Sequence, residues 1–340
     1  MNTRLLTIAA TVVMSIASGA LAQTPRVAPA ADSTSATKNW TPPRTPWGEP
    51  DLQGTFSNRT ITPFERPANV AGREFFTPEE VAALEKRAQE QSGDEGRTKG
   101  TRADVERAYN DFWWDRGTKV TTPRTSLVID PADGRVPELT DEAKKRAADE
   151  SKRPAFRGTG ANGRGTDTWL DRSTFERCIT RGMPGAMSPT AYNNNYRITQ
   201  GPGYVAIQIE MLGGARVIPT DGRPHVNQSI RQWMGHSVAR WEGDTLVVDT
   251  TNFTDKVLYR GAAENLHLVE RFTRVGPGQI DYRVTVTDPT TFTKPWTIAI
   301  PYVDTGEDMF EYACHEGNYG MEGILSGARE EERAAAGKGK

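Results

Sequence analysis

The sequence predicts a mainly β protein, an antiparallel barrel that is lipocalin-like in outline, with an N-terminal extended arm and two or three peripheral helices. The 340 residues include 32 glycines and 22 prolines, a composition that favours turns and short strands over long helices. After about residue 190, roughly eight segments are β-branched or alternate apolar with polar residues. The links between these segments are too short for parallel crossovers, so the strands are expected to pair in antiparallel order.

The first 22 residues have the features of a secretory signal peptide. Arg4 supplies a basic start, the apolar run Leu5–Ala17 follows, and Ala20-Leu21-Ala22 offers a small-x-small cleavage signal. The apolar run is too short to span a bilayer comfortably. We therefore expect cleavage near Ala22, a periplasmic or secreted location, and no stable membrane insertion.

Changes in composition divide the remaining chain. Residues 23–40 are rich in Ala, Thr, Ser and Pro, which predicts a disordered spacer. Residues 41–160 are expected to form a Pro- and aromatic-rich arm plus a helical layer, because closely spaced prolines exclude helix near their start. The β domain is assigned to residues 161–328, and residues 329–340 are expected to form a charged tail.

Cap and turn signals place individual elements within this plan. Thr77 precedes a helical pattern that starts at Pro78, and Thr140 is the expected N-cap of a second, charged helix. Glu242-Gly243-Asp244 and Gly276-Pro277-Gly278 each lie between two strand patterns, which predicts two tight hairpins.

Alternation gives the predicted strands one apolar face and one face that mixes polar with aromatic side chains. The clearest apolar faces belong to two late strands, with the residues Ile280, Tyr282, Val284 and Val286 on one, and Trp296, Ile298, Ile300 and Tyr302 on the other. Two interpretations stay open at this point. In the first, one face packs in the core and the other is exposed to solvent. In the second, the barrel encloses a lumen that holds the polar side chains.

Charge and cysteine content limit the classes of function. The net charge of −2 gives no electrostatic footprint for nucleic acid, and a small-molecule ligand is the expected partner. Nothing in the sequence indicates an oligomeric state. In an exported protein the two cysteines, Cys178 and Cys314, are expected to form a disulfide, with two separate buried thiols as the alternative.

The candidate chemistry comes from the histidines, because all four lie in the strand-rich half. His267 or His236 is the expected general acid or base, with Glu210 or Asp249 orienting it. No bound cofactor is expected. A zinc site assembled from distant strands stays an alternative, although no two histidines have the close spacing typical of zinc ligands.

A second set of residues is expected to bind the substrate. Arg216 or Arg231 would hold an anionic or carbonyl group, and Tyr204 and Asn194 would position the ligand. Two further histidines complete this set: His225 in a long polar loop and His315 beside Cys314.

Three phrases of the sequence carry a resemblance. "WTPPRTPWGEPDLQGTF", "RQWMGHSVARWEGDTLVVDTTNF" and "YACHEGNYGMEGIL" resemble a large family of exported bacterial proteins, over essentially the whole mature chain. The resemblance implies export. It carries no motif with an assigned role, so it transfers no catalytic residue.

These observations lead to one expectation and two alternatives. The expectation is an exported enzyme that performs cofactor-independent acid/base chemistry, of the lyase, hydrolase or isomerase type, on a small organic molecule in a barrel cavity. The first alternative is a non-catalytic periplasmic carrier of an apolar or aromatic small molecule. The second is an envelope interaction protein whose aromatic arm docks a partner.

Overall fold

A computed structural model describes residues 40–92, 115, 117–152 and 165–337. The predicted signal peptide, its cleavage site and nearly all of the predicted spacer lie outside these residues. Within the described ranges, no helix combines the length and the apolar character that a membrane crossing requires.

The predicted mainly β fold is confirmed as a nearly closed antiparallel barrel of nine strands. Along the sheet the strands follow the order β5-β4-β3-β1-β10-β9-β8-β7-β6, and β2 pairs with β10 off this path. Every pairing between these described strands is antiparallel. The bounds are β1 (Gly54–Ser57), β2 (Val128–Asp130), β3 (Asn195–Gly201), β4 (Tyr204–Ile209), β5 (Ala215–Pro219), β6 (His236–Glu242), β7 (Thr245–Thr251), β8 (His267–Gly276), β9 (Gln279–Thr287) and β10 (Trp296–Asp304).

The N-terminal arm takes part in the sheet instead of lying only on its outside. Phe56 on β1 pairs with Tyr196 on β3 and with Asp304 on β10, so the arm joins the two halves of the sheet. The Phe56 side chain is fully buried in the core. Prolines on both sides keep this strand short, because proline cannot donate a ladder hydrogen bond.

Both predicted hairpins are confirmed. β6 and β7 are joined at Gly243, whose φ of +62° lies in the left-handed region that favours glycine. Pro277 and Gly278 form the link between β8 and β9. These two turns place β6, β7, β8 and β9 side by side, and this part of the sheet carries the candidate site.

The barrel interior is packed with side chains, so the expectation of a hollow lumen that holds the polar residues is wrong. The apolar faces predicted from alternation point inwards and are completely buried on both β9 and β10. Trp296 and Tyr282 are among the largest of the fully buried side chains. These strands therefore pack one face in the core and expose the other to solvent, because burial of the apolar face is the main driving force for closing the sheet.

A buried ion pair helps to close the barrel where β5 meets β6, the two ends of the strand order. Arg216 on β5 donates from Nη1 to Glu270 Oε1 on β8 at 2.9 Å and from Nη2 to Ser237 Oγ on β6 at 3.1 Å. The Tyr282 hydroxyl donates to the same Glu270 oxygen at 2.9 Å. Side chains thus link strands that the ladder does not connect.

The described residues include three α-helices outside the sheet: α1 (Pro78–Ser92), α2 (Asp141–Lys152) and α3 (Tyr319–Gly337). The capping box of Thr77 and Glu80 is present, and Thr140 Oγ accepts from the Ala143 N–H at 3.1 Å, so both predicted helix starts are confirmed. The third helix continues through residue 329, where the sequence predicted the start of a charged tail.

The predicted disulfide between Cys178 and Cys314 is confirmed, with Cα atoms 5.7 Å apart. It joins the segment before β3 to the segment after β10, across 136 positions of sequence. A loop of this length corresponds to a stabilisation of about 4–5 kcal/mol in the chain-entropy model. A disulfide of this kind indicates an oxidising compartment outside the cytosol.

Candidate functional site

Three histidines and one aspartate meet on the outer face of the sheet. Asp249 lies near the end of β7, between His236 at the start of β6 and His267 at the start of β8. Their strand neighbours Thr250 and Leu268 are fully buried on the inner face, so alternation directs Asp249 and His267 outwards. The fourth member, His225, comes from the loop over residues 220–235.

The four side chains form a linear chain of hydrogen bonds. Asp249 Oδ1 lies 2.9 Å from His225 Nε2, and Asp249 Oδ2 lies 2.9 Å from His267 Nε2. His225 Nδ1 lies 2.9 Å from His236 Nδ1. The order is therefore His236, His225, Asp249, His267, with one carboxylate shared by two imidazoles.

This arrangement fixes where the protons lie. An ionised carboxylate only accepts hydrogen bonds, so His225 and His267 both carry a proton on Nε2. When His225 is neutral its Nδ1 is an acceptor, and His236 then donates its own Nδ1–H. His236 is left with a lone pair on Nε2, the ring nitrogen farthest from the backbone and the one best placed to reach a substrate.

The cluster holds Asp249 and His236 in different charge states. Burial raises the pKa of Asp249 as the largest single effect, but the hydrogen bonds and charges of His267 and His225 outweigh it and lower that pKa below its usual value. Burial, followed by the charges of His225 and Arg223, lowers the pKa of His236. An anionic aspartate and a neutral His236 therefore coexist at neutral pH.

The cluster is shielded but reachable from solvent. The side chains of His225, Asp249 and His267 are 26%, 31% and 38% exposed. Asn252 Nδ2 holds the loop by donating to the carbonyls of Val226 and Asn227 at 3.2 and 3.1 Å. A fixed loop keeps His225 within reach of its two partners.

Arg231 contributes to the same loop in a different way from the predicted one. Its Nη1 donates to the carbonyl oxygens of Phe253 at 3.2 Å and Glu264 at 2.6 Å. This arginine therefore fastens the loop to the segment between β7 and β8. The sequence suggested that it would hold a ligand, but these two donor contacts satisfy backbone carbonyls.

The structure places Arg216 and Glu210 away from the cluster. Arg216 lies in the barrel interior and directs its donors to Glu270 and Ser237, so it cannot hold a ligand at the outer face. Glu210 is buried at the end of β4, where its Oε2 accepts from the Asn195 N–H at 3.1 Å. Of the two predicted orienting carboxylates, only Asp249 contacts a histidine side chain.

Three other predicted residues are also separate from the cluster. Asn194 is completely buried and braces a loop, accepting from the Thr190 N–H and donating to the Asp115 carbonyl, both at 2.8 Å. Tyr204 is exposed and lines a shallow groove with Val217. His315 is exposed next to the disulfide.

The contacts in the cluster are pairwise and do not converge on one point. His225 directs its two ring nitrogens towards two different neighbours, whereas a zinc ion needs three or more ligand atoms around a common centre. Within the part of the chain that the structure describes, no group of three or more His, Cys, Asp or Glu side chains is arranged to hold a metal ion.

Fold and site together define the class of protein: an antiparallel barrel with a filled interior and a histidine–aspartate cluster on its outer face. No protein-family model matches the chain, and neither the curated proteins nor the solved structures include a match. The resemblance to exported bacterial proteins stays a prediction from the sequence.

Proposed function

We propose that this protein is an exported enzyme that performs acid/base chemistry on a small organic molecule at the outer face of its barrel. The observation that carries this proposal is the Asp249 carboxylate, which holds His225 and His267 by 2.9 Å contacts from its two oxygens. A carboxylate that fixes the tautomer of an imidazole, and stabilises the charge it gains, is a recurring arrangement for proton transfer.

The arrangement assigns a role to each member. His236 Nε2 is the general base, because His236 is kept neutral and its other nitrogen is occupied by His225. His225 passes the stabilising effect of Asp249 to His236, so both act as positioning residues for the base. His236 then returns the proton to the product as the general acid. His267, whose Nε2–H donates to the second oxygen of the same carboxylate, is a third positioning residue that holds Asp249 in place.

The packed interior favours this proposal over a carrier. A carrier of an apolar or aromatic molecule needs a deep cavity lined by such side chains. In the barrel these positions are taken by buried side chains of the protein itself, including Trp296, Tyr282 and Tyr302. A group of ionisable side chains with shifted pKa values, open to solvent, is instead typical of a catalytic site.

The proposal can be tested with a panel of candidate substrates. Purified protein is incubated in D₂O with small esters, hydroxy acids and carbonyl compounds, and NMR follows ester cleavage, water loss and deuterium uptake at carbon. Any turnover found is then compared between the wild type, His236→Gln and Asp249→Asn. His315→Gln is the matched control, because His315 is exposed and outside the cluster.

We expect His236→Gln to lower the rate of the detected reaction by about 10²–10⁴-fold, the usual contribution of general acid/base catalysis. Asp249→Asn should also lower the rate, and His315→Gln should leave it unchanged. A reaction that proceeds equally well in His236→Gln and Asp249→Asn would show that the cluster is not the active site.

A further inference from the structure

A second feature, separate from the histidine cluster, is a partly buried arginine without an anionic partner. Among the described residues, no hydrogen bond or ion pair joins Arg181 to a side chain or backbone group. Its guanidinium carbon lies 5.7 Å from the centre of the Phe175 ring. A guanidinium offers five N–H donors, and leaving them unpaired away from bulk water costs free energy.

Four tyrosines lie close enough to this guanidinium to interact with its charge: Tyr192, Tyr196, Tyr259 and Tyr312. Tyr192 stacks on Tyr312 with ring centres 6.3 Å apart. Tyr259 stacks on Trp296 with ring centres 6.1 Å apart and planes inclined by 12°. The tyrosines are thus held in place before any ligand arrives. Tyr196 is buried in the core, whereas Tyr192, Tyr259 and Tyr312 are partly exposed and offer flat apolar rings near one positive charge.

A second arginine lies beside Tyr259 in a strained turn. Tyr259 and Ala262 exchange backbone hydrogen bonds, so Arg260 and Gly261 are the two central residues of the turn, with φ of +52° and +90°. This conformation favours Asn-Gly, and a residue with a longer side chain costs about 1–2 kcal/mol there. The Arg260 guanidinium lies 4.4 Å from the centre of the Phe64 ring.

Several packing contacts fix the segments that carry these residues. The disulfide ties Cys178, three residues before Arg181, to Cys314, two residues after Tyr312. Gly182 packs so closely on Val257 that a Cβ atom there would lie 2.3 Å from the Val257 side chain. A preformed site loses little conformational entropy when it binds a ligand.

We propose that Arg181, with Arg260 beside it, is a binding site for the carboxylate group of a small flat organic acid. A planar guanidinium matches a carboxylate in charge and geometry. The partly exposed rings of Tyr192, Tyr259 and Tyr312 match a flat apolar body. This inference stands on its own residues and does not depend on the acid/base chemistry proposed for the histidine cluster.

The site predicts an unusual effect on stability. Burial lowers the pKa of Arg181 by more than the four tyrosines raise it, so the desolvation of this charge is only partly compensated. Replacing Arg181 with methionine should therefore leave the ligand-free protein as stable as the wild type or more stable. A residue that serves only the fold would show the opposite result.

The test uses purified protein and benzoate as the probe, with acetate, inorganic phosphate and chloride at the same ionic strength. Isothermal titration calorimetry and thermal unfolding are measured for the wild type, Arg181→Met, Arg181→Lys and Arg260→Gln. Arg177→Met is the matched control. Arg177 lies four residues earlier, and its guanidinium carbon lies 4.7 Å from the centre of the Trp169 ring, which is not one of the four tyrosines around Arg181.

We expect saturable benzoate binding to the wild type, weakened by about tenfold or more in Arg181→Met, since hydrogen bonds to charged groups carry this much free energy. Arg181→Lys and Arg260→Gln should weaken binding less, and Arg177→Met should bind as the wild type does.

The proposal is overturned if benzoate does not bind saturably, or if Arg181→Met binds it normally. It is also overturned if Arg181→Met lowers the melting temperature of the ligand-free protein, and tighter binding of phosphate than of benzoate would reject the carboxylate assignment.

Discussion

His236 links the candidate site to the pH dependence of folding. Its pKa is lowered in the folded protein, so the unfolded chain binds more protons as pH falls below about 6.5, the usual histidine value. The free energy of unfolding is therefore not reduced by His236 above that pH, and it falls on acidification as the unfolded chain takes up the proton. We predict that the melting temperature falls between pH 7 and pH 5 and that His236→Gln makes this fall shallower.

The measurement is thermal unfolding followed by circular dichroism across this pH range. His315→Gln serves as the control, because His315 is exposed and outside the cluster. If His236→Gln and the wild type lose stability in parallel, the folded-state pKa of His236 is not lowered and the proton assignment in the cluster fails.

Single residues also show what a sequence can and cannot reveal about a site. His267 and Asp249 became candidates because all four histidines lie in the strand-rich half, and the structure brings these two residues together. Arg216 belongs to an equally polar pattern but points inwards, where it pairs with Glu270. Glu270 lies on β8, the third strand from β5 when the junction between β5 and β6 is crossed. Long-range pairs of this kind leave no local signal. Arg181 was missed for the same reason, since its surroundings come from three separate segments.

At the scale of elements, the Arg216–Glu270 pair is expected to hold β5 against β6 and β8. Glu270 is completely buried, so Glu270→Gln would leave the Arg216 charge uncompensated. We predict a loss of about 3–5 kcal/mol in the free energy of unfolding, measured by urea denaturation. The double change Arg216→Met and Glu270→Leu should recover much of that loss.

Glu242→Gln is the matched control for this prediction. Glu242 pairs with Arg240 and Arg271 at the exposed end of β6, where ion pairs contribute about 0–1 kcal/mol. Similar losses in Glu242→Gln and Glu270→Gln would argue that the buried pair does not close the barrel.

Elements with strong local signals were predictable, and those that depend on distant partners were not. The caps at Thr77 and Thr140 and the turn at Gly243 act within a few residues, and the structure contains all three. β1 is four residues long between prolines and exists only because β3 and β10 lie on its two sides. The first half of α3 contains three glycines, which hides its helical pattern.

At the scale of the whole molecule, the barrel was predictable but its filling was not. Alternation shows that each strand has an apolar face, and short links require antiparallel neighbours. Neither signal states how much volume remains once the sheet closes. Large side chains such as Trp296, Tyr282 and Tyr302 occupy that volume, which leaves the outer face as the place where imidazoles and carboxylate can meet.

The most direct measurement of the central claim is ¹⁵N NMR of the histidine side chains, which reports the protonated ring nitrogen of each residue. At slightly alkaline pH the structure predicts Nε2–H on His225 and His267 and Nδ1–H on His236. Asp249→Asn should change the signals of the first two strongly and leave His315 unaffected. The shared carboxylate, on which the proposed chemistry depends, would be contradicted by an Nδ1–H tautomer on His267. It would also be contradicted if Asp249→Asn left the ¹⁵N signals of His225 and His267 unchanged.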